Sequence, residues 1–145
     1  MENVIDDIVE SARYGELEEL QSIINSNPIT LLFAKDKYGN TPLHMASANG
    51  HVEIVEFIIE KFKSLEQRDD VINTQNESGN TSLHWSALNG HEKVVKLLVT
   101  NGADIKIKNQ AGKTAIYEAQ QNNHEKIVEF ILSNDKSTEN EKNID

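Results

Sequence analysis

Three segments of the chain share one arrangement of apolar and charged residues. In each segment five apolar residues recur at the spacing i, i+1, i+3, i+4 and i+5, and the position i+2 between them is charged. This spacing gathers the apolar side chains into one broad stripe of a helix, whereas a half-buried strand would alternate from residue to residue. The pattern predicts three amphipathic α-helices, within residues 52–59, 92–99 and 125–132.

A block of twelve residues leads into each of these helices. Residues 40–51 and 80–91 are identical at seven of the twelve positions, and residues 113–124 form a third, weaker copy. Such a recurrence is typical of one structural unit stacked on copies of itself. The chain is therefore predicted to be a stack of helical repeats.

Each block predicts a short first helix with sharp ends. The residues suited to cap its N-terminus are Thr41, Thr81 and Thr114. His44 and His84 stand three residues after the cap, where an imidazole can exchange hydrogen bonds with the threonine as glutamate does in a capping box. Gly50, Gly90 and Asn123 follow the helix and favour the left-handed conformation that reverses the chain into the second helix.

A turn precedes each block, at residues 36–39, 76–79 and 109–112. Each turn has Asp or Asn at its first position and Gly at its fourth, which is the signature of a type I β-turn.

Taken together, these motifs resemble the ankyrin-repeat family. The resemblance rests on the β-turn, on Thr-Pro-Leu-His at residues 41–44, on the Asn-Gly-His hinges, and on Val-Val-Lys-Leu-Leu at residues 94–98. The spacing of 33 residues from Thr81 to Thr114 is also the ankyrin period. Over about residues 3–133 the resemblance implies an all-α ankyrin-repeat solenoid of helix-turn-helix units joined by β-turn or hairpin loops.

The repeat pattern divides the chain into four units and a tail. The expected units are an N-terminal capping repeat at about 1–34, a second repeat at 35–74, a third at 75–107, a C-terminal capping repeat at 108–133 and a disordered polar tail at 134–145. The 40 residues from Thr41 to Thr81 exceed the period by seven, which predicts a longer second helix followed by a longer loop. Glu19 and Ser22 replace apolar residues in the first unit, as an end repeat requires.

The charge of the chain bears on its partners. There are 24 acidic and 14 basic residues, a net charge of −10, and seven of the first twenty residues are acidic. This balance disfavours nucleic acid, which needs a basic surface, and favours a basic protein. The acidity can equally serve solubility alone.

Several classes of site and location are not expected. The chain has no cysteine, which excludes disulfides, thiol catalysis and zinc sites of the cysteine type. No apolar run is long enough for a membrane span and the acidic start is unlike a signal peptide, so we expect a monomeric protein of the cytoplasm and nucleus. Because each histidine has a place in the repeat and no catalytic constellation is present, we expect neither an enzyme nor a metal or other cofactor.

The family resemblance implies that a protein partner binds the concave face, where turn tips and first helices present variable positions. On this chain the partner-binding residues are predicted to be Tyr38, Asn40, Met45, Asn49, Ser78, Asn80, Trp85, Leu88, Asn89 and Glu118. Aromatic anchors within a polar surround are typical of binding hot spots. Met45 and Trp85 can alternatively pack between repeats, since apolar residues are common at that position.

A narrower resemblance suggests the kind of partner. His-Met-Ala at 44–46, residues 79–85, the Leu-Asn-Gly hinge at 88–90 and Ala-Ile-Tyr-Glu-Ala at 115–119 occur together with the lengthened second repeat. This combination closely resembles the small fungal ankyrin-repeat chaperones of the KH-domain protein of the small ribosomal subunit. It implies a dedicated chaperone that binds this basic protein during ribosome biogenesis. The alternative is a general ankyrin scaffold or an inhibitor of a signalling or transcription protein.

Overall fold

The computed structural model describes residues 4–63 and 65–135, and no β-strand occurs within them. The predicted all-α solenoid is confirmed. The elements are α1 (Val4–Tyr14), α2 (Leu17–Asn25), a 3-10 helix (Ile29–Phe33), α3 (Pro42–Ala48), α4 (Val52–Phe62), α5 (Arg68–Ile72), α6 (Ser82–Leu88), α7 (Glu92–Thr100), α8 (Ala115–Gln121) and α9 (Glu125–Ser133).

The helices lie in two layers. The first helices of the repeats form the inner layer, in which α1 packs on α3, α3 on α6 and α6 on α8. The second helices form the outer layer, in which α4 packs on α7 and α7 on α9. The closest contacts between helices of different units therefore join neighbouring repeats, as in other solenoids.

The short first helices begin at the predicted threonines. Thr41 Oγ1 accepts a hydrogen bond from His44 N at 3.3 Å, and His44 Nδ1 accepts one from Thr41 N at 3.1 Å. Thr81 and His84 repeat this capping box with distances of 3.3 and 3.0 Å. Thr114 also caps its helix, but Tyr117 replaces the histidine and offers no ring nitrogen in return. The predicted caps are thus confirmed, and the last repeat has the simpler one.

The hinge after each first helix leaves room for the histidine of the following repeat. Gly50 has a φ of 72°, and a Cβ added there would lie only 2.5 Å from Nδ1 of His91. Asn123 is at the corresponding place in the last repeat, with a φ of 62°. Its Cβ fills the space that a following histidine would occupy, so another repeat of this kind would clash with it.

The apolar stripe of the second helices forms the core. Its fully buried members include Ile54, Val55, Ile58, Val94, Val95, Leu98, Ile127 and Ile131. These are the positions that the helical spacing assigns to the buried face, so the predicted register is confirmed.

The extra residues of the second repeat are partly helical. α4 has 11 residues and α7 has nine, which confirms the predicted extension. The segment after α4 contains the short helix α5, where the sequence predicted only a loop. The buried side chain of Ile72 anchors this helix to the core, while Asn73 donates to Gly102 O at 3.2 Å and accepts from Asp104 N at 2.8 Å. The insertion is therefore tied to the third repeat.

The first two residues of the expected tail form hydrogen bonds with the end of α9. Asn134 caps the helix and donates from Nδ2 to Phe130 O at 2.8 Å, and Asp135 N donates to Leu132 O at 3.2 Å. The rest of the tail, residues 136–145, lies outside the described residues.

Truncating a core residue of α7 tests this register. Leu98 is completely buried, so we expect Leu98→Ala to lower the free energy of unfolding by about 2–5 kcal/mol, measured by urea denaturation. Leu132→Ala is the matched control: this leucine is 48% exposed, and its truncation is expected to cost less than about 1 kcal/mol. Equal losses in the two variants would show that the assignment of the buried face is wrong.

Candidate functional site

The predicted partner-binding residues belong to one side of the stack, which we call the inner face. It consists of the three turns at 36–39, 76–79 and 109–112 and of the exposed sides of α1, α3, α6 and α8. In the first turn Gly39 N donates to Asp36 O at 3.0 Å, and Asp36 Oδ1 accepts from Tyr38 N and Asn40 N at 2.8 and 3.0 Å. Asn76 and Asn109 organise the other two turns in the same way. The three predicted β-turns are confirmed.

Asparagine side chains join neighbouring turns. Asn76 Nδ2 donates to Asn40 Oδ1 at 2.9 Å, and Asn109 Nδ2 donates to Asn80 Oδ1 at 2.9 Å. Asn40 is only 6% exposed, so its prediction as a partner-binding residue must be corrected. Its amide holds the second turn instead. Asn80 has the same structural bond and is only partly exposed.

Met45 is a second correction. It is 5% exposed, and both Nε and Nη2 of Arg13 lie 3.4 Å from its Sδ. The side chain therefore packs between the first and second repeats, which was the alternative that the sequence left open. Trp85 lies between the two alternatives: it is half-buried, and its ring packs in an edge-to-face arrangement with the His44 ring at a centroid distance of 5.8 Å.

The remaining predicted residues stay accessible to a partner. Tyr38 is 55% exposed. Asn49, Ser78 and Asn89 are exposed, while Leu88 and Glu118 are half-buried. The amide of Asn89 bridges two repeats by donating to Ala48 O at 2.9 Å. That a partner binds at these residues stays a prediction.

An acidic groove lies beside Tyr38, between α1 and the first turn. Its volume is about 390 Å³, and it is lined by Asp6, Val9, Glu10, Arg13, Asp36, Lys37 and Tyr38. Asp6 and Glu10 were not among the predicted site residues, because the first unit lacks the block from which those positions were derived. Their i, i+4 spacing, which places both carboxylates on the exposed side of α1, was the available signal.

Beneath the inner face, two buried imidazoles join neighbouring repeats by hydrogen bonds. Burial lowers the pKa of His44 to about 4 and also lowers the pKa of His84. Nδ1 of each ring accepts the threonine N–H of its capping box, so the neutral ring carries its proton on Nε2. Nε2 of His44 donates to Asn80 O at 2.8 Å, and Nε2 of His84 donates to Lys113 O at 2.9 Å.

The described part of the chain holds no group of three or more His, Asp or Glu residues placed to bind a metal ion. No helix in residues 4–63 and 65–135 has the length and apolar character that crossing a membrane requires.

Sequence models of ankyrin repeats match most of the chain. The model for three copies matches residues 67–143, and the model for many copies matches residues 8–59. The chain is 46% identical over 104 residues to the ankyrin repeat-containing protein P16F5.05c of Schizosaccharomyces pombe, an alignment that covers 72% of this chain and 67% of that protein. It is 39% identical over 75 residues to the ankyrin repeat-containing protein YAR1 of Saccharomyces cerevisiae, covering 50% of this chain but only 38% of that protein.

A solved structure extends the similarity over nearly the whole stack. A chain in the crystal structure of the yeast ribosomal protein Rps3 in complex with its chaperone Yar1 superposes with a TM-score of 0.84 and 39% sequence identity. The match covers 89% of this chain and 91% of that chain.

The buried histidines predict a loss of stability in mild acid. An unfolded histidine takes up its proton near pH 6.5, whereas folded His44 does so only at about pH 4. The contribution of its neutral form is therefore complete above pH 6.5 and is lost as the pH falls towards 4. We expect His44 alone to lower the free energy of unfolding by roughly 1 kcal/mol between about pH 7 and about pH 5.5, measured by urea denaturation.

His44→Gln is the control for this pH dependence, because glutamine keeps a donor and an acceptor but does not titrate. We expect the variant to lose less stability than the parent over the same pH range. An identical pH dependence in the two proteins would refute the role of His44.

Proposed function

Because this chain belongs to the ankyrin-repeat family, we propose that it is a dedicated chaperone that binds a basic protein of the small ribosomal subunit on its inner face. The observation that carries this proposal is the fit to a chain in the structure of Rps3 with its chaperone Yar1, at 39% identity over 89% of this chain. The chain is a protein-binding module. That it lacks catalytic activity is part of the proposal.

The electrostatics of the inner face support a basic client. Asp6, Glu10 and Asp36 bring three carboxylates to the acidic groove. Of its two basic residues, Arg13 contacts the sulfur of Met45 and Lys37 lies 5.1 Å from the centre of the Tyr38 ring, and neither forms an ion pair with a groove carboxylate within the described residues. Both ion pairs within the described residues, Lys63–Glu60 and Lys96–Glu92, are on the outer helices. The carboxylates of Asp6 and Glu10 are therefore available to lysine or arginine of a client, whereas Oδ1 of Asp36 is held by the first turn.

Binding on this face accounts for a chaperone action without chemistry. A ribosomal protein that is not yet assembled into a ribosomal subunit carries exposed basic residues that normally contact RNA, and acidic residues held in place shield them. Exposed Tyr38 and half-buried Trp85 add apolar contact area beside that charge. We place the protein in the cytoplasm and nucleus, since such a client is made in the first compartment and assembled in the second.

Reversing charge in the acidic groove tests the proposal with purified yeast Rps3 as the probe. We expect Asp6→Lys combined with Glu10→Lys to weaken binding by about tenfold or more, measured by isothermal titration calorimetry. Raising the salt concentration should weaken the parent complex more than the variant complex, because fewer ionic contacts remain in the variant.

The matched control is Glu125→Lys with Glu129→Lys, which makes the same change of charge on exposed positions of α9. We expect it to retain the affinity of the parent within about twofold. Absence of Rps3 binding by the parent would overturn the proposal, and so would capture of a kinase or transcription factor, but no ribosomal protein, from native lysate. Equal losses of affinity in the two double variants would show that the acidic groove is not part of the binding site.

The single tryptophan reports binding at the inner face. Trp85 is half-buried beside His44, so a client that covers it should shift its fluorescence and reduce its accessibility to iodide. A tightly bound client that leaves both properties unchanged would place the binding site elsewhere on the stack.

A further inference from the structure

The outer layer of helices is packed least closely at its N-terminal end. α4 packs on α7 and α7 packs on α9, whereas α2 and α4 make fewer close contacts. An open groove with a volume of about 610 Å³ lies between α2 and α4. We call it the outer groove, and its lining residues are Leu17, Gln21, Glu53, Glu56, Phe57, Glu60 and Lys61.

The outer groove combines an apolar floor with an acidic rim. Leu17 and Phe57 are half-buried, so each leaves part of its apolar surface in contact with water. Glu53 and Glu56 are exposed and take part in neither ion pair of the described residues, whereas Glu60 pairs with Lys63 at 3.3 Å. The cation of Lys61 lies 5.3 Å from the centre of the Phe57 ring, which shows that a positive charge is accommodated beside this floor.

The acidic pair is a local feature of the second repeat. Counting from the histidine before each second helix, the positions of Glu53 and Glu56 are occupied in α7 by Lys93 and Lys96. The repeat therefore folds with either charge at these two positions. Glu53 lies in the first turn of α4, where the helix dipole favours a carboxylate, whereas Glu56 lies beyond that turn and gains little from the dipole.

We propose that the outer groove is a docking site for a basic segment of a protein partner that carries one apolar anchor residue. The anchor packs on Leu17 and Phe57, and flanking lysine or arginine side chains pair with Glu53 and Glu56. Charge complementarity selects this occupant: a second copy of this chain carries a net charge of −10 and is repelled, as are nucleic acid and anionic lipid. The site is on the layer opposite the inner face and does not depend on the proposed function.

A synthetic peptide tests this groove. The probe is a fluorescein-labelled, helix-forming peptide of alanine and lysine with one central leucine, and its twin has alanine in place of the leucine. We expect the full chain to bind the leucine peptide more tightly than the twin, measured by fluorescence anisotropy. Glu53→Lys with Glu56→Lys should weaken binding of the leucine peptide by about tenfold or more, because the rim then repels it. Phe57→Ser should abolish the difference between the two peptides.

One control separates this site from general attraction by an acidic protein. Glu125→Lys with Glu129→Lys makes the same change of charge on exposed positions of α9 and should change the affinity for the leucine peptide by less than about twofold. Equal losses in the two charge variants would reduce the effect to diffuse charge and overturn the proposal. Failure of the parent to bind, or equal binding of the two peptides, would also overturn it. Melting curves by circular dichroism check that each variant is folded. We expect Glu53→Lys with Glu56→Lys to fold, because α7 carries lysine at the two corresponding positions.

Discussion

The stack depends on hydrogen bonds that imidazoles donate to the backbone of a neighbouring repeat. His44 and His84 donate forward to Asn80 O and Lys113 O, at 2.8 and 2.9 Å. His91 and His124 bond backward, to Ala48 O and Leu88 O, each at 3.0 Å. A carbonyl left without its partner inside the protein costs more than the net value of the bond, so each imidazole makes the register between two repeats specific. The forward bonds need neutral rings, because Nδ1 must accept the threonine N–H while Nε2 donates. Burial maintains this state by lowering the pKa of both rings.

The last repeat lacks the groups that would continue this network. Tyr117 replaces the capping-box histidine, and Lys113 replaces the asparagine whose side-chain oxygen accepts from the next turn at Asn40 and Asn80. The Lys113 cation instead lies 4.2 Å from the centre of the Tyr117 ring. Together with the Cβ of Asn123, these substitutions remove the contacts through which another repeat of the same kind would attach. They fit the predicted C-terminal capping repeat, because a terminal repeat must present an end that does not propagate the stack.

Local chemistry made the fold predictable, whereas the site was predictable only in part. Caps, hinges and turns depend on residues within four positions of one another, so Thr41, His44 and Gly50 revealed their roles without tertiary information. Asn40 was assigned to the partner because the same amide can bind either a partner or the next turn, and only the spacing between repeats decides which. Met45 is buried by Arg13, which belongs to a unit without the repeated block. α5 was missed because five residues carry too little periodicity to distinguish a helix from a loop.

The placement of charge argues that the acidity of this chain does more than maintain solubility. Solubility depends on the total charge and leaves the position of each carboxylate free. Here two acidic clusters each border an accessible groove with apolar surface: Asp6 and Glu10 beside Tyr38, and Glu53 and Glu56 beside Phe57. The third repeat has the same second-helix pattern but carries lysine at both positions corresponding to Glu53 and Glu56. Both clusters belong to the first two repeats, so a basic partner that approaches the stack meets its strongest attraction at the N-terminal half, on either layer.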